Sequence, residues 1–529
     1  MQYEGQPLIE ARKIAYQFSG ELKPLFSDID ISLYTGQHAL IGRNGIGKSW
    51  LASILAQQTL PSEGSVKHFC DVGYLSQGLS TFTGISANLF GLTDIINANE
   101  RILAGIGEAA DFDLMEGNWD WQFQIESLLA EGELAPEILN QPFNLLSGGE
   151  QTRLRLLSLK KQGAGFMILD EPSNHLDRQG RLWLAQWLKT FNGGILLVTH
   201  DTKLLQRVSV VYELSGLGLS RSIGGWETWL ESKEQLRLGI QRDVDQTRKN
   251  LKQAVRDKQR DREQSEKRRS QGKQRRENAN QAKILLDRAL NRSESTLSRL
   301  AKQNEERLQR SSSLATDART KLEIIDPLSI AVATPQAATP PLLYLQDVIL
   351  PFGSTSPISL TINNGDRLAV TGKNGSGKST LLKVMTGSQA PEQGTCRITP
   401  SHRLMDQHFS FLDKTQSALY NFQLQSPGWP EDRYRTRLAQ LRMRGEEALK
   451  PVGYLSGGEQ LKVALACLFC GPSAPALLLL DEPDNHLDIE SRELLQKALH
   501  DYTGAMVLIS HDDQFIEGIG NMQELVLGD

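Results

Sequence analysis

At two places an apolar run ends in adjacent carboxylates: FMIL at 166–169 leads into Asp170-Glu171, and ALLLL at 476–480 leads into Asp481-Glu482. Neighbouring acids at the end of a buried strand suit two tasks, one organising a metal ion through water and the other taking a proton from an attacking water. On that pattern Asp170 and Asp481 are predicted to organise Mg2+, and Glu171 and Glu482 to act as general bases. A second apolar run follows each pair, GILLVTH and AMVLISH, ending in His200 and His511. These imidazoles are predicted to hydrogen-bond a terminal phosphate or to position the water.

The group those residues would act on is indicated upstream. Residues 42–49 read GRNGIGKS and residues 372–379 read GKNGSGKS, each between a predicted strand and a predicted helix. In such a loop the backbone N–H groups of the glycine-rich turn wrap phosphates, the lysine reaches the β and γ oxygens, and the serine hydroxyl goes to Mg2+. The expected nucleotide-binding residues are therefore Gly42, Asn44, Gly45, Gly47, Lys48 and Ser49, and again Gly372, Asn374, Gly375, Gly377, Lys378, Ser379 and Thr380. Trp50 stands where the second copy has Thr380, so a bulky ring replaces a hydroxyl that helps hold phosphate; altered affinity is expected, with the site still working. Gln77 in YLSQ and Gln407 in LMDQ each follow a short strand about 30 residues later. They are placed to sense Mg2+ and the γ-phosphate and to move the region that follows.

That region carries a phrase the chain repeats. LSGGEQ occupies 146–151 and 455–460, with DEPSNHLD and DEPDNHLD after it, so the chain holds two copies of one domain. Residue 42 corresponds to 372 but residue 147 to 456, so the first copy has about 21 extra residues between Gln77 and Ser147. The pattern there is mostly helical, and Trp119 and Trp121 are predicted to pack within it.

Composition bounds the setting. A chain of 529 residues has room for two large domains and a connector, and net charge is −5. Its apolar runs are strand-length, far below the ~20 residues of a membrane span. MQYEGQPLIEARK has neither a basic region with an apolar run nor an amphipathic Arg/Ser pattern, so a cytoplasmic protein is expected. Cys70, Cys396, Cys467 and Cys470 are too scattered for a disulfide framework, and the CxxC at 467–470 is predicted to be a pair of buried thiols.

The connector has its own chemistry. Residues 233–321 hold 25 Lys/Arg against 13 Asp/Glu, which leaves the rest of the chain at −17. Leu236, Ile240, Val244 and Leu251, then Leu286, Leu290, Leu297, Leu300 and Leu308, recur at helical spacing. Two antiparallel helices of about 40 residues, each roughly 60 Å long, are predicted, with a basic tip near 270–282. A merely solvated coil has a similar look, but the sign bias is the footprint of a phosphate-backbone partner. ATPQAATPP at 333–341 reads as a loose linker.

Taken in order, GKS, Gln, LSGGEQ, DEP and His resemble an ABC-type ATPase cassette, and the tandem pair with DEPSNHLD and DEPDNHLD is similar to the ABC-F family across nearly the whole chain. The expected fold class is α/β: two P-loop ABC-type nucleotide-binding domains, 1–230 and 342–529, joined by a long antiparallel α-helical linker at 231–325 and a flexible connector at 326–341. The resemblance implies a monomer whose cassettes form a head-to-tail sandwich, with ATP and Mg2+ as cofactors. Ser147, Gly148, Gly149 and Glu150 would close on ATP held by the second phosphate loop, and Ser456, Gly457, Gly458 and Glu459 on ATP held by the first. Asp177 and Asp488 would couple the sites, and Phe18 and Phe352 would stack on adenine.

Gly225-Trp226 and Trp229 are similar to the turn that opens the ABC-F linker. In that family the linker reaches into the ribosome and touches transfer RNA and ribosomal RNA. Carried over, Lys267, Arg268, Arg269, Lys273, Arg275 and Arg276 would be the RNA contacts. A housekeeping translation factor and an antibiotic-resistance factor share every motif above. Two further readings are an ATPase subunit of a transporter with a separate permease, which a fused pair with a basic connector fits poorly, and a DNA-associated ABC ATPase. Such relatives carry a basic C-terminal coiled coil, whereas only 18 residues follow His511.

Overall fold

A computed structural model describes residues 5–20, 23–77, 82, 84–174, 176–277, 299, 302–303, 305–318, 328, 330–485 and 487–528. Apolar runs too short for helices become parallel strands buried on both faces. Across the first cassette their order is Val72–Leu75, Phe166–Asp170, Gly194–Val198, Gly36–Gly42, Val210–Ser215 and Gly218–Ile223, with only the last pair antiparallel. In the second it is His402–Met405, Leu477–Asp481, Ala505–Ile509, Arg367–Gly372 and Gln523–Leu527, all parallel.

This order decides where the chemistry falls. The strand ending in the carboxylate pair lies beside the strand ending at the histidine, in register Asp170 to Val198 and Asp481 to Ile509. The latter strand lies beside the one that feeds the phosphate loop. Acids, imidazole and loop therefore meet at the carboxyl ends of the strands, where ligands bind in open α/β sheets.

Antiparallel three-stranded sheets complete both cassettes: Phe26–Leu33, Ile9–Tyr16 and Glu63–His68 in the first, and Ile358–Ile362, Leu343–Ile349 and Gln393–Ile398 in the second. The phosphate-loop helices, Lys48–Leu55 and Lys378–Met385, bury Leu51, Ile54, Leu55 and Leu381, Leu382, Met385 in cores shared by both sheets.

Among the described residues between Gln77 and Ser147 the first cassette has three α-helices, Thr93–Leu103, Ala109–Met115 and Trp121–Glu131. The corresponding part of the second has two, Ala418–Gln425 and Glu431–Gln440. Trp119 was expected to pack within this region; it is 59% exposed, because it falls in the turn after Met115 and on no helix face. Trp121 is half-buried. Cys467 and Cys470 are buried free thiols, as the apolar helix around them predicts, and burial pushes Cys470 up to about 11.

The Pro/Ala stretch that reads as a loose linker is tied to the second cassette. Ala333 N donates to Phe469 O at 2.7 Å, Gln336 N donates to Ala474 O at 2.8 Å, and Ile330 enters the core. Composition signals the absence of regular structure there, and backbone hydrogen bonds to a neighbour supply the order that composition does not show.

Residues Glu227–Pro327 form a separate compact unit. One helix, Gly225–Glu277, runs 53 residues into it, about 80 Å at ~1.5 Å per residue. It is longer than the predicted 40 residues and passes through Gly272 unbroken. One interior glycine costs only ~1 kcal/mol against alanine, and the flanking Gln, Lys, Arg and Glu are good helix formers. Lys258 pairs with Glu305, and Arg307 with Asp257 at 3.7 Å, setting residues 257–258 against 305–307. Lys267 is exposed on the long helix, whereas the side chains of Arg268, Arg269, Lys273, Arg275 and Arg276 lie outside the described residues, as do 278–298. Among the described residues no helix is long and apolar enough to cross a membrane.

Candidate active site

Gly47 and Gly377 start the phosphate-loop helices at φ of +105° and +96°. A Cβ on Gly47 would also lie 2.8 Å from Leu25 and 2.9 Å from Phe26, so both the conformation and the space call for glycine. The loop that results turns each lysine inward. Lys48 Nζ donates to Gly42 O at 2.8 Å and Arg43 O at 3.0 Å, and Lys378 Nζ to Gly372 O and Lys373 O at 2.9 Å each. Burial lowers the pKa of both lysines, which places each charge where an anion would be welcomed.

Around Lys48 a cavity of about 470 Å3 is lined by Asn44, Gly45, Gly47, Ser49, Gln77, Asp170, Glu171, Asn174 and His200, with Phe18 and Trp50 at its aromatic side. Nearly the whole predicted first site is thus gathered in one space of ligand size. Ser49 Oγ lies 3.4 Å from Gln77 Oε1. Both Asp170 carboxylate oxygens and His200 Nδ1 are buried with no hydrogen-bond partner among the described residues, and His200 Nε2 meets only the Glu171 carboxylate, beyond hydrogen-bond distance. Orphaned buried groups cost ~1–3 kcal/mol each, and hydrated Mg2+ with a triphosphate would satisfy them. Among the described residues no group of three or more His, Cys, Asp and Glu could hold a metal.

Glu171 and Glu482 sit at φ of +50° and +48°, a left-handed conformation that side chains seldom adopt. Two hydrogen bonds hold it: Glu171 N to Val198 O at 2.8 Å and Glu482 N to Ile509 O at 2.9 Å. Each carboxylate is thereby directed at the histidine of the neighbouring strand, His200 Nε2 to Glu171 Oε1 at 3.6 Å and His511 Nε2 to Glu482 Oε1 at 3.5 Å. The same strain recurs in both cassettes, as strain at functional positions tends to do.

The two sites then diverge. Burial pushes Glu171 up to about 8. At Glu482 burial acts in the same sense, but His511, Lys378 and Asn485 together outweigh it and hold the carboxyl below its ordinary value. Gln407 Nε2 donates to Glu482 Oε2 at 2.7 Å, and Asn485 Nδ2 bonds the same oxygen, so Gln407 bonds the predicted base while Gln77 keeps to the serine. Ser379 Oγ donates to Asp481 Oδ1 at 3.3 Å, which sets the two predicted Mg2+ residues of this site side by side. Asn174 and Asn485 were not singled out in the sequence; both lie in the DEPxNHLD phrase, whose repetition was the available signal.

Across the cassettes, Asn44 N donates to Asp488 Oδ2 at 2.8 Å and Arg43 Nε pairs with Glu490 Oε2 at 2.7 Å. A second cavity there, about 210 Å3, has Arg43 and Asn44 on one wall and Ser456, Gly458, Glu459 and Lys462 on the other. The second LSGGEQ phrase thus faces the first phosphate loop, the head-to-tail arrangement the resemblance implies. On the other side Asp177 acts electrostatically on Lys378. Ser147 with Gly148, Gly149 and Glu150, and Ser456 with Gly457, Gly458 and Glu459, open helices Gly148–Lys161 and Gly457–Phe469 as capping boxes. Glu150 Oε2 accepts from Ser147 N at 2.9 Å and Glu459 Oε2 from Ser456 N at 2.8 Å, so these carboxylates are turned to the cap.

Asp488 also caps helix Ile489–Asp501 by accepting from Ser491 N at 2.8 Å. Asp488→Ala is therefore expected to remove a cap of ~1 kcal/mol and a cross-cassette hydrogen bond of ~1 kcal/mol, lowering the thermal midpoint. Asp488→Asn keeps one accepting oxygen and sets its NH2 against the other N–H donor, so it should recover only part of the loss; equal midpoints for Ala and parent would contradict this.

Phosphate loops, paired acids and histidines at the carboxyl ends of two duplicated sheets, with an LSGGEQ helix of one cassette facing the loop of the other, define a tandem ATP-binding cassette ATPase. The ABC transporter family matches residues 26–174 and 355–485. The chain belongs to the ABC-F branch of that family. It is 31% identical over 525 residues to the ATP-binding protein YdiF of Bacillus subtilis, covering 91% of this chain and 74% of that one. It is 30% identical over 524 residues to ATP-binding cassette sub-family F member 3 of Rattus norvegicus, covering 93% and 68%. In fold it is similar to the archaeal ribosome recycling factor aABCE1, solved with the ribosomal stalk protein aP1, with a TM-score of 0.57 at 16% identity over 98% of this chain and 88% of that one.

Proposed function

We infer that this ABC-F ATPase is a cytoplasmic, nucleotide-driven clamp that acts on the ribosome through its basic arm and so regulates translation or protects the ribosome. In each site the lysine and loop amides hold the triphosphate, the Ser-Asp pair with Gln77 or Gln407 holds Mg2+, and the histidine and glutamate position and deprotonate the attacking water. Mg2+ when bound neutralises phosphate charge. Filling both interfaces draws each LSGGEQ helix toward the opposite loop, and hydrolysis releases it. The first site is built for this by the Asn44–Asp488 contact already in place.

The observation that carries the ribosome reading is the charge of the arm, 25 Lys/Arg against 13 Asp/Glu in residues 233–321 of a chain whose net charge is −5. Such a bias is suited to a phosphate backbone and unsuited to a basic surface. Contacts of Lys267, Arg268, Arg269, Lys273, Arg275 and Arg276 with ribosomal or transfer RNA would neutralise about five phosphates. Binding should then fall with salt at a log–log slope of about −3 to −4. Ribosome binding measured from ~50 to 200 mM salt checks this, and a slope near zero would contradict it.

A further inference from the structure

Ile9 and Leu343 hold the same register in their antiparallel sheets, Ile9 against Leu33 and His68, Leu343 against Ile362 and Ile398. Counting along both strands makes Tyr16 the counterpart of Leu350 and Phe18 the counterpart of Phe352, as Trp50 is of Thr380. The first cassette therefore places three rings where the second has one. Trp50 stacks on Tyr16 with centroids 4.7 Å apart and planes 20° apart. Phe18 stands across that pair, 5.3 Å from Trp50 at 87° and 5.4 Å from Tyr16 at 84°. Phe18 and Trp50 both line the cavity that holds Lys48, and Tyr16 backs Trp50. Phe352 is 71% exposed, and its neighbours at the two corresponding positions are an aliphatic side chain and a hydroxyl.

We propose that Trp50 makes the first site selective for purine nucleotides, while the second binds nucleotides with little regard to the base. The rings of Phe18 and Trp50 meet as a right-angled corner, one wall for the face of a base and the other for its edge. A two-ring purine is long enough to rest on one wall and abut the other, whereas a one-ring pyrimidine reaches one of them. Base–aromatic stacking on a single ring is largely sequence-tolerant, because every base has a π-face, so strong discrimination calls for a second wall. The loss of the Thr380-type hydroxyl at Trp50 moves binding from phosphate to base. Phe352 alone gives the second site one wall and no corner.

This rests on the reading of both loops as nucleotide sites, and its test separates the two. Full-length protein carrying Lys378→Ala retains the first loop, and protein carrying Lys48→Ala retains the second. Calorimetric titration of each with MgATP and MgUTP should give an ATP preference of about tenfold or more in the first and within about threefold in the second. Adding Trp50→Thr to Lys378→Ala should bring the ratio to about the second-site value by weakening ATP and sparing UTP. Trp50→Phe should keep most of the preference and shows that the site is still folded. Thr380→Trp in the Lys48→Ala protein should raise the second-site preference. An unchanged ATP:UTP ratio in Trp50→Thr, or equal weakening of both, would overturn the proposal. Failure of either nucleotide to bind either single-loop protein would overturn the underlying site reading.

Discussion

Glu171→Gln combined with Glu482→Gln is expected to lower steady-state ATP turnover by about 10²–10⁴-fold while nucleotide binding persists, the usual share of a positioned general base. The amide keeps the shape and an accepting oxygen, so the Gln407 and Asn485 bonds at the second site lose little, but it has no basic lone pair at neutral pH. The left-handed backbone at both residues is held by strand hydrogen bonds and not by the carboxylate, so the loop geometry should survive. Phosphate release in the double variant checks this, with a titration of ATP as the control for binding. Turnover within about tenfold of the parent would remove both glutamates from the proposed chemistry.

Arg492→Ala is expected to destabilise the cassette unit by about 3 kcal/mol, because it breaks a buried ion pair and strands its acid. Arg492 Nη2 lies 2.7 Å from Asp512 Oδ2, with the two side chains 12% and 4% exposed. Arg181, its counterpart in the first cassette, stands 3.8 Å from Asp512 and 3.8 Å from Asp201, so the cluster bridges the cassettes next to both site histidines. Asp484 adds a further buried carboxyl, raised by burial, where the first cassette has Ser173. With the Arg492 charge gone, three acids share Arg181. Arg492→Lys should recover part of the loss, since it restores the charge without the planar fork. Thermal or urea midpoints check this, and a change under about 1 kcal/mol would show that the cluster is already compensated.

Much of this was legible because it was written twice. Glycine-loop, acid pair, LSGGEQ and histidine each have a local physical signature, and duplication in register removed chance matches. What was not legible depends on neighbours far away in the chain. Trp50 reads as a lost hydroxyl, and only the fold shows it packed against Tyr16, at a strand's end, and Phe18 just beyond it. Glu150 and Glu459 read as phosphate-side residues, and their bonds to the helix cap show only in the fold. Residues 333–341 read as loose because their order comes from Phe469 and Ala474, more than 100 positions on. The long helix exceeded its prediction because Gly272 was given too much weight against its helix-forming neighbours.

In the proposed clamp, nucleotide state governs engagement of the ribosome by the arm. The most direct measurement is co-sedimentation of the Glu171→Gln, Glu482→Gln protein with ribosomes, with and without ATP, beside the same protein lacking residues 262–284. Pelleting that requires ATP and disappears with the deletion is the expected result. Equal recovery in every lane, or recovery in none, would contradict it and turn attention to DNA or to a membrane partner.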